Sequence, residues 1–367
     1  MIEALSKGIA IHHGAVPRHL GSTIVDLFND GSIKYLFCTA TLIEGVNTSA
    51  KNIVLYDKRK GRKSIDFFDY KNIAGRSGRM NQYFIGNIYK FEKEPKETQL
   101  ELDIPFVTQE DAPLELLLQM QPEDLNSESK EKIKELDSIP KDLIPIIKEN
   151  YGVIIKGQEN FVKELDARKE ELDGFVNWTG LPKYKQLEPT LDLIWRHLMK
   201  SSDSKGGIRS SAQLAVITIQ YGIYKSMAAV IDHMWKDKYW IKEIPDSQMR
   251  IDHLTLFVLN VVRHWFDYKL PKLLSTASNL QEFVFKKAGK NIGDYTYLAR
   301  ELENSFFPED LILLKEFNIP KSAIEKISKN KTGEFNIDNF KSKVKENNIS
   351  EFNFSKYELH KLNQNMN

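Results

Sequence analysis

The first hundred residues alternate short apolar runs with amphipathic segments, and this pattern constrains the fold more than any other feature of the chain. The apolar runs have the length and composition of strands and lie at residues 9–11, 33–38, 52–56 and 86–91. Amphipathic segments at residues 18–28 and from residue 67 onward have helical spacing. Strands that alternate with helices predict a parallel α/β sheet, in which functional residues collect in the loops beyond the carboxyl ends of the strands.

Length and composition set broad limits. The 367 residues suffice for two or three domains with cores of their own, and the formal net charge of +1 does not indicate any class of partner. The single cysteine, Cys38, excludes an internal disulfide and lies in an apolar run, so we expect a buried structural thiol. The chain shows neither a signal-peptide pattern at its start nor an apolar run of membrane-spanning length, which predicts a cytoplasmic protein without membrane contact.

The stretch at residues 72–79, NIAGRSGR, places Arg76 and Arg79 three positions apart. On a helix such residues lie on the same side, so both guanidinium groups can reach one target. Each glycine of the stretch costs about 1 kcal/mol relative to alanine within a helix. We therefore expect a helix end here, a close approach of another backbone segment, or both. The alternative is an ordinary helix cap with solvated arginines.

Two further stretches follow predicted strands. Residues 39–47, TATLIEGVN, combine short hydroxyl side chains with a glycine, which lets backbone N–H groups and hydroxyls approach a phosphate. A threonine-rich turn without a ligand is the alternative. Residues 11–14 read IHHG, and the adjacent His12 and His13 must point to opposite faces of a strand. Such a pair does not readily chelate one ion, so no metal site is predicted.

In this order and spacing, the three stretches resemble motifs of superfamily 2 (DEAD/DEAH-type) ATP-dependent helicases, in the form of the superkiller-like branch. Residues 39–47 resemble motif V, residues 72–79 resemble motif VI, and residues 11–14 resemble the segment that follows motif IV. The resemblance covers about residues 8–91 and implies a second RecA-like domain. Asn72 departs from the pattern, because many family members carry the longer glutamine at this position.

The resemblance implies roles for the arginines and threonines. Arg79 would be the arginine finger, and Arg76 a second contact to the γ-phosphate or between domains. Arginine suits this role because its planar fork binds phosphate oxygens bidentately and stays charged. Thr39 and Thr41 would contact a nucleic-acid phosphate.

Other roles follow from the same resemblance. The residues that would bind ATP or couple its cleft to the strand are Glu44, Gly45, Asn47, Asn72 and Gly75. His13 and Gly14 would lie along the nucleic-acid track, with Arg18 at the next helix start as a phosphate contact. The basic loop at residues 58–63 is either a further backbone contact or a solvated surface.

The sequence lacks the parts that a complete motor needs. No GxxxxGK[ST] stretch and no DExH or DExD tetrapeptide occurs in the 367 residues. We expect the C-terminal portion of a helicase, either an engineered fragment or a truncated reading frame, that does not hydrolyse ATP alone. ATP and Mg²⁺ would bind only in the intact motor. The expected partners are DNA or RNA and the missing N-terminal RecA-like domain, carried by the same protein or by a separate chain.

The remainder of the chain is predicted to be mostly helical. We expect an incomplete second RecA-like domain at residues 1–100, a winged-helix-like or helical connector at 101–205, a helical bundle at 206–305 and a helical hairpin module at 306–367. The fold class is therefore α/β plus all-α.

In the family the bundle carries a ratchet helix along the emerging strand. The candidate here is residues 252–267, where Arg263 and Trp265 combine charge with a stacking face. Alternatively, Trp265 belongs to the core and Arg263 is a surface residue. Two other functions stay open for the whole chain: a non-catalytic nucleic-acid-binding or scaffold protein, and a double-strand translocase that moves without unwinding.

Overall fold

The computed structural model describes most of the chain. The described residues are 2–14, 16–39, 48, 50–60, 63–78, 85–95, 109, 112–201, 203 and 206–366. The chain divides into two compact units. One unit combines Met1–Asp103 with Leu313–Asn367, and we call it the sheet unit. The other comprises Ile104–Ile312, and we call it the helical unit.

The sheet unit begins with the predicted parallel α/β arrangement. Helix α1 (Ile2–Ser6) precedes strand β1 (Ile9–His12), which pairs in parallel with β2 (Tyr35–Cys38). Helix α2 (Arg18–Asn29) connects the two strands, as a parallel pair requires a crossover connection. The small core beneath α2 contains Ala10, Ile24 and Ile33.

A second parallel pair follows. Strand β3 (Asn52–Leu55) pairs with β6 (Asn87–Lys90), and helix α3 (Phe67–Ala74) lies between them in sequence. The basic run that we predicted as a loop instead forms a short antiparallel hairpin, β4 (Arg59–Lys60) with β5 (Lys63–Ser64). Consecutive basic residues do not predict a strand, because lysine is depleted in strands, and here pairing with adjacent residues sets the conformation.

Each parallel pair leaves large apolar side chains exposed. Tyr35 and Phe37 of β2 are 64% and 63% exposed. Tyr56, directly after β3, and Phe91, directly after β6, are 84% and 74% exposed, and their rings meet edge to face at 5.9 Å. Strands of parallel sheets are usually covered on both faces, so these exposed rings are unusual for a folded domain.

The C-terminal residues complete the sheet unit. They form helices α15 (Ile312–Glu316), which begins at the boundary, α16 (Lys321–Asn330), α17 (Ile337–Lys345) and α18 (Lys356–Met366). Helix α18 packs against α2 through polar contacts. Lys361 Nζ donates to Ser22 Oγ at 3.2 Å, and Gln364 Nε2 donates to Asp26 Oδ2 at 3.1 Å.

The helical unit contains the remaining helices. They are α4 (Leu114–Leu117), α5 (Ser127–Ile133), α6 (Ile144–Glu149), α7 (Ile155–Ala167), α8 (Lys169–Leu172), α9 (Tyr184–Leu193), α10 (Ser211–Tyr224), α11 (Met227–Lys236), α12 (Ser247–Val261), α13 (Lys269–Lys287) and α14 (Thr296–Glu303). One large apolar core joins most of them, and α13 contributes many of its residues. Within residues 112–201, all of which are described, no β-hairpin occurs of the kind that a wing would need.

Two apolar helices of the helical unit meet at a sharp bend. Helix α10 ends at Tyr224, Lys225 adopts a left-handed conformation with φ of 52°, and the Ser226 side chain caps α11. The two helices are bent by 120°. Among the described residues, no single helix has the length and apolarity to span a membrane, and α10 with α11 meets that criterion only as a bent pair.

Candidate functional site

The carboxyl ends of β1 and β2 bring two of the predicted stretches together. The Thr39 backbone N–H donates to the His12 carbonyl oxygen at 3.3 Å and so extends the strand ladder by one step. His13 and Thr39 are exposed at this edge, and Gly14 is half-buried. Arg18 is exposed at the first turn of α2. The structure therefore places the described residues of the predicted nucleic-acid track at one end of the strand pair or on the helix that follows it.

His12 and His13 have different environments, as their alternation predicts. The Nε2 atom of His12 would lie 3.1 Å from a Cβ atom added at Gly21, so the ring packs closely against α2. Burial lowers the pKa of His12, and the nearby His13 lowers it further. At neutral pH His12 is therefore an uncharged residue that packs against α2, whereas His13 faces outward. No group of three or more metal-binding side chains occurs among the described residues.

The glycines of residues 72–79 have the two structural functions that the sequence predicts. Gly75 ends α3, and its N–H donates to the Lys71 carbonyl at 2.8 Å. Gly78 has a φ of 71°, and a Cβ atom there would lie 2.7 Å from the Gly86 nitrogen. The first glycine thus marks a helix end, and the second combines a left-handed backbone with close approach of another segment.

The loop after α3 is fixed by backbone contacts to the residues that precede β3 and β6. The Gly78 N–H donates to the Ala50 carbonyl at 3.1 Å, and the Ala50 N–H points to the Arg76 carbonyl at 3.5 Å. A Cβ atom on Gly86 would come within 2.5 Å of the Gly78 nitrogen. Gly86 is therefore part of the site, although we did not predict it. Its signal in the sequence is a glycine directly before a strand.

Arg76 connects the two motif regions electrostatically. The residue is half-buried, and its positive charge acts to lower the pKa of the Cys38 thiol at the end of β2. Desolvation of the sulfur is the larger effect and raises this pKa, although the residue as a whole is exposed. The prediction of a buried thiol is thus wrong, because the strand pair of β1 and β2 leaves Cys38 exposed. The guanidinium of Arg76 therefore acts on the residue that directly precedes the stretch at 39–47.

Five of the predicted site residues lie outside the described part of the chain. They are Thr41, Glu44, Gly45, Asn47 and Arg79. Asn72 is half-buried on α3, one turn before the arginine loop begins.

The ratchet candidate divides into a buried and an exposed part. A π-helical turn, Val262–Phe266, extends α12. Trp265 in this turn is 0% exposed and stacks on Trp195 with ring centroids 5.7 Å apart. The Trp265 ring therefore belongs to the core of the helical unit and offers no face to a base in this structure. Arg263 is exposed.

Arg263 continues a solvent-facing stripe on α12. Met249 and Leu256, which precede it at intervals of seven residues, are 57% and 48% exposed. Residues seven apart lie on one face of a helix. The exposed face of the candidate helix therefore carries two apolar side chains, followed by the positive charge of Arg263.

Comparison with known proteins relates part of the chain to a class of helicases. No protein-family model matches the chain. Over about a fifth of its length, the chain is homologous to superfamily 2 helicases of the Hel308 and Mtr4 type. ATP-dependent DNA helicase Hel308 of Aeropyrum pernix is 38% identical over 79 residues, which cover 20% of this chain and 11% of that protein. Exosome RNA helicase MTR4 of Homo sapiens is 37% identical over 83 residues, which cover 22% of this chain and 8% of that protein.

A longer similarity relates the chain to one particular protein. Anti-bacteriophage protein B of Escherichia coli (strain K12) is 30% identical over 334 residues, which cover 88% of this chain and 45% of that protein. The chain thus spans less than half the length of this relative and a much smaller part of the helicases. Together these relationships support a helicase-related function.

Proposed function

We propose that this chain is the C-terminal half of an ATP-dependent nucleic-acid helicase of the superkiller-like branch. In this proposal the P-loop domain is encoded outside these 367 residues, and Arg76 and Arg79 complete its ATP site. The observation that carries the proposal is the placement of the arginine loop. Its backbone is hydrogen-bonded to Ala50 and packs closely against Gly86. The Arg76 charge acts to lower the pKa of Cys38 at the end of β2.

The fixed backbone suits an arginine finger. Phosphoryl transfer develops negative charge on the transferred group, and an arginine from a second domain stabilises it. The Arg76 N–H donates to the Ile73 carbonyl at 3.1 Å, so the loop begins from a rigid helix end. A loop whose backbone starts from a fixed helix end needs little reorganisation when the domains close. The P-loop domain would bind the ATP phosphates and the Mg²⁺ that neutralises them, with Glu44, Gly45, Asn47, Asn72 and Gly75 coupling that cleft to the strand.

The nucleic-acid track in this proposal begins at the carboxyl edge of β1 and β2. Thr39 and Thr41, with His13 and Gly14, would contact the backbone of DNA or RNA, and Arg18 would pair with a phosphate. In the helical unit, Arg263 would contact the strand directly. The buried Trp265 would act as a positioning residue, because its stacking on Trp195 fixes the turn that carries Arg263.

The exposed rings on and directly after the strands are evidence that a further polypeptide segment packs on them in the motor. The rings of Tyr35, Phe37, Tyr56 and Phe91 are all more than half exposed. Burying apolar surface contributes roughly 25 cal/mol per Å², so covering these rings would stabilise the assembled motor. We propose that sequence belonging to the remainder of the motor covers them, and that residues 101–205 serve as a helical connector.

Reconstitution tests the proposal. If the coding sequence upstream of Met1 contains a P-loop domain, the chain is to be co-expressed with that domain, and ATP hydrolysis is to be measured with and without single-stranded DNA or RNA. We expect hydrolysis that nucleic acid stimulates in the rejoined motor, and none above background from this chain alone. Hydrolysis by this chain alone would refute the division of the active site.

The same preparation separates the other two functions. Absence of a P-loop and acidic motif from the adjoining reading frame, together with strand binding by this chain, would indicate the non-catalytic scaffold. Nucleic-acid-stimulated hydrolysis without strand separation on a forked duplex would indicate the translocase.

A further inference from the structure

We propose that Tyr151, Tyr268 and Lys272 form a single-strand contact on the helical unit, here called the tyrosine–lysine patch. The two tyrosine rings stack on bases, and Lys272 pairs with a phosphate between them. This inference rests on the proposed function and deepens it, because it assigns the stacking role that Trp265 cannot fill while it is buried.

The three side chains meet on one surface. Tyr151 lies in the turn between α6 and α7 and is 68% exposed, and Tyr268 lies directly before α13 and is 64% exposed. The Lys272 Nζ atom is 5.4 Å from the Tyr151 ring centroid and 5.8 Å from the Tyr268 centroid. The two centroids are therefore at most about 11 Å apart, with the ammonium group between them.

The turn that carries Tyr151 is held rigidly from below. The side chain of Asn150 is buried and donates from Nδ2 to Gln158 Oε1 of α7 at 3.0 Å. Its Oδ1 accepts from Asn279 Nδ2 of α13 at 2.9 Å. An exposed ring on a fixed turn loses little conformational freedom when a ligand binds, which favours affinity.

Lys272 is equally well placed. The Lys272 N–H donates to the Tyr268 carbonyl at 3.2 Å, so the two residues share the first turn of α13. The Nζ atom lies only 2.7 Å from where a Cβ atom on Gly152 would be, and Gly152 has a φ of 72°. The glycine thus provides the space through which the lysine reaches Tyr151. Among the ion pairs of the described residues, none involves Lys272, so its charge is available to a ligand anion.

This chemistry favours a single strand over a protein partner. Every base has a π-face that can stack on an aromatic ring, and a cation between two rings matches a backbone phosphate. A protein-docking surface would need a larger apolar area with a central pocket. The patch also follows the predicted ratchet segment directly, because Tyr268 is five residues beyond the exposed Arg263.

Fluorescence anisotropy with labelled oligo(dT) and oligo(U) tests the patch in the full chain. We expect Tyr151→Ala and Tyr268→Ala each to weaken binding about tenfold, since one stacked base contributes roughly that much. The two Tyr→Phe variants keep the ring and should bind as the parent does. Tyr184→Ala is the matched control, because Tyr184 is a 44% exposed tyrosine of the same unit. The ratio of the parent's dissociation constants for oligo(dT) and oligo(U) shows whether the patch prefers DNA or RNA.

Two further measurements isolate the roles. Lys272→Ala should reduce the slope of log Kd against log salt by about 0.7, the value for one phosphate contact to a single strand. Photo-crosslinking of 5-iodouracil oligonucleotides should label peptides that contain Tyr151 or Tyr268. The inference is overturned if the double Tyr→Ala variant binds with the parent's affinity and circular dichroism shows it folded. If the parent binds neither oligonucleotide, the proposed strand-binding function fails as well.

Discussion

Single residues show which polar groups the fold depends on, and Glu164 in the helical unit is the clearest case. Its carboxylate accepts from Arg196 Nη2 at 2.7 Å and from Arg168 Nη1 at 2.8 Å, and lies 2.7 Å from His197 Nε2. The hydrogen bonds from Arg196, with those from His197 and Arg168, lower the pKa of Glu164 to about 2. The group thereby joins α7 to the π-helical turn Ile194–Leu198.

We predict that Glu164→Gln destabilises the helical unit by about 2 kcal/mol at neutral pH, because it leaves the arginines without their shared carboxylate. Since the folded pKa lies below the ordinary value of 4.5, the contribution is complete above pH 4.5 and is lost as the pH falls toward 2. Urea unfolding of parent and variant, followed by tryptophan fluorescence, should therefore converge in acid.

Glu171→Gln is the control for that experiment. Glu171 also accepts from Arg168, but its side chain is 63% exposed, so its loss should change stability little. Equal unfolding midpoints for the Glu164→Gln variant and the parent at neutral pH would contradict the assignment.

The packing of single glycines shows which part of the arginine loop can be predicted from the sequence. Gly78 carries both a left-handed backbone and a close contact to Gly86, whereas Gly31 has a φ of 84° with no atom within 4 Å of a Cβ position. The sequence alone shows two glycines, and only the spacing of the residues around Arg76 indicated that Gly78 has a special role. The contact to Gly86 was not predictable, because nothing local indicates which distant backbone will approach.

At the scale of elements, the strand and helix bounds near the start of the chain followed from periodicity alone. The predicted strand at residues 9–11 is confirmed as β1, and the predicted helix at 18–28 is confirmed as α2. The hairpin of β4 and β5 was missed. The hairpin pairs residues within one short window, but its basic residues lack the apolar alternation from which a strand is predicted. Contacts between distant parts of the chain are the ones that a sequence window does not contain.

The docking of α18 on α2 is such a contact, and Lys361 tests it. This lysine is 1% exposed, and its Nζ donates to Ser22 Oγ and to Gln364 Oε1. We predict that Lys361→Ala costs about 2–3 kcal/mol through lost packing and unpaired polar groups. Hydrogen exchange should then accelerate together in Lys356–Met366 and Arg18–Asn29.

His360 provides the matched control, because it lies exposed on the same helix. His360→Ala should leave the exchange of both helices unchanged. Faster exchange of α18 alone in the Lys361→Ala variant would show that the docking contacts do not stabilise α2.

At the scale of the whole molecule, chain order and spatial order differ. The helical unit, Ile104–Ile312, is inserted between the two segments that build the sheet unit. Sequence patterns predicted consecutive domains, because periodicity and composition report on neighbours along the chain. The contacts between α2 and α18 join residues more than 330 positions apart, and they leave no periodic trace. The candidate site could be proposed from the sequence because its motifs are short and local.

The central claim is that Arg79 acts as an arginine finger in a motor completed by another domain, and its substitution is the most direct measurement. In the rejoined motor, Arg79→Ala should reduce nucleic-acid-stimulated ATP hydrolysis by about 10³- to 10⁵-fold, while strand binding by anisotropy stays at the parent's level. Arg79→Lys should restore little, because an ammonium lacks the planar fork. Arg209→Ala, at an exposed arginine of the helical unit, should hydrolyse ATP normally. Undiminished hydrolysis in Arg79→Ala would contradict the claim.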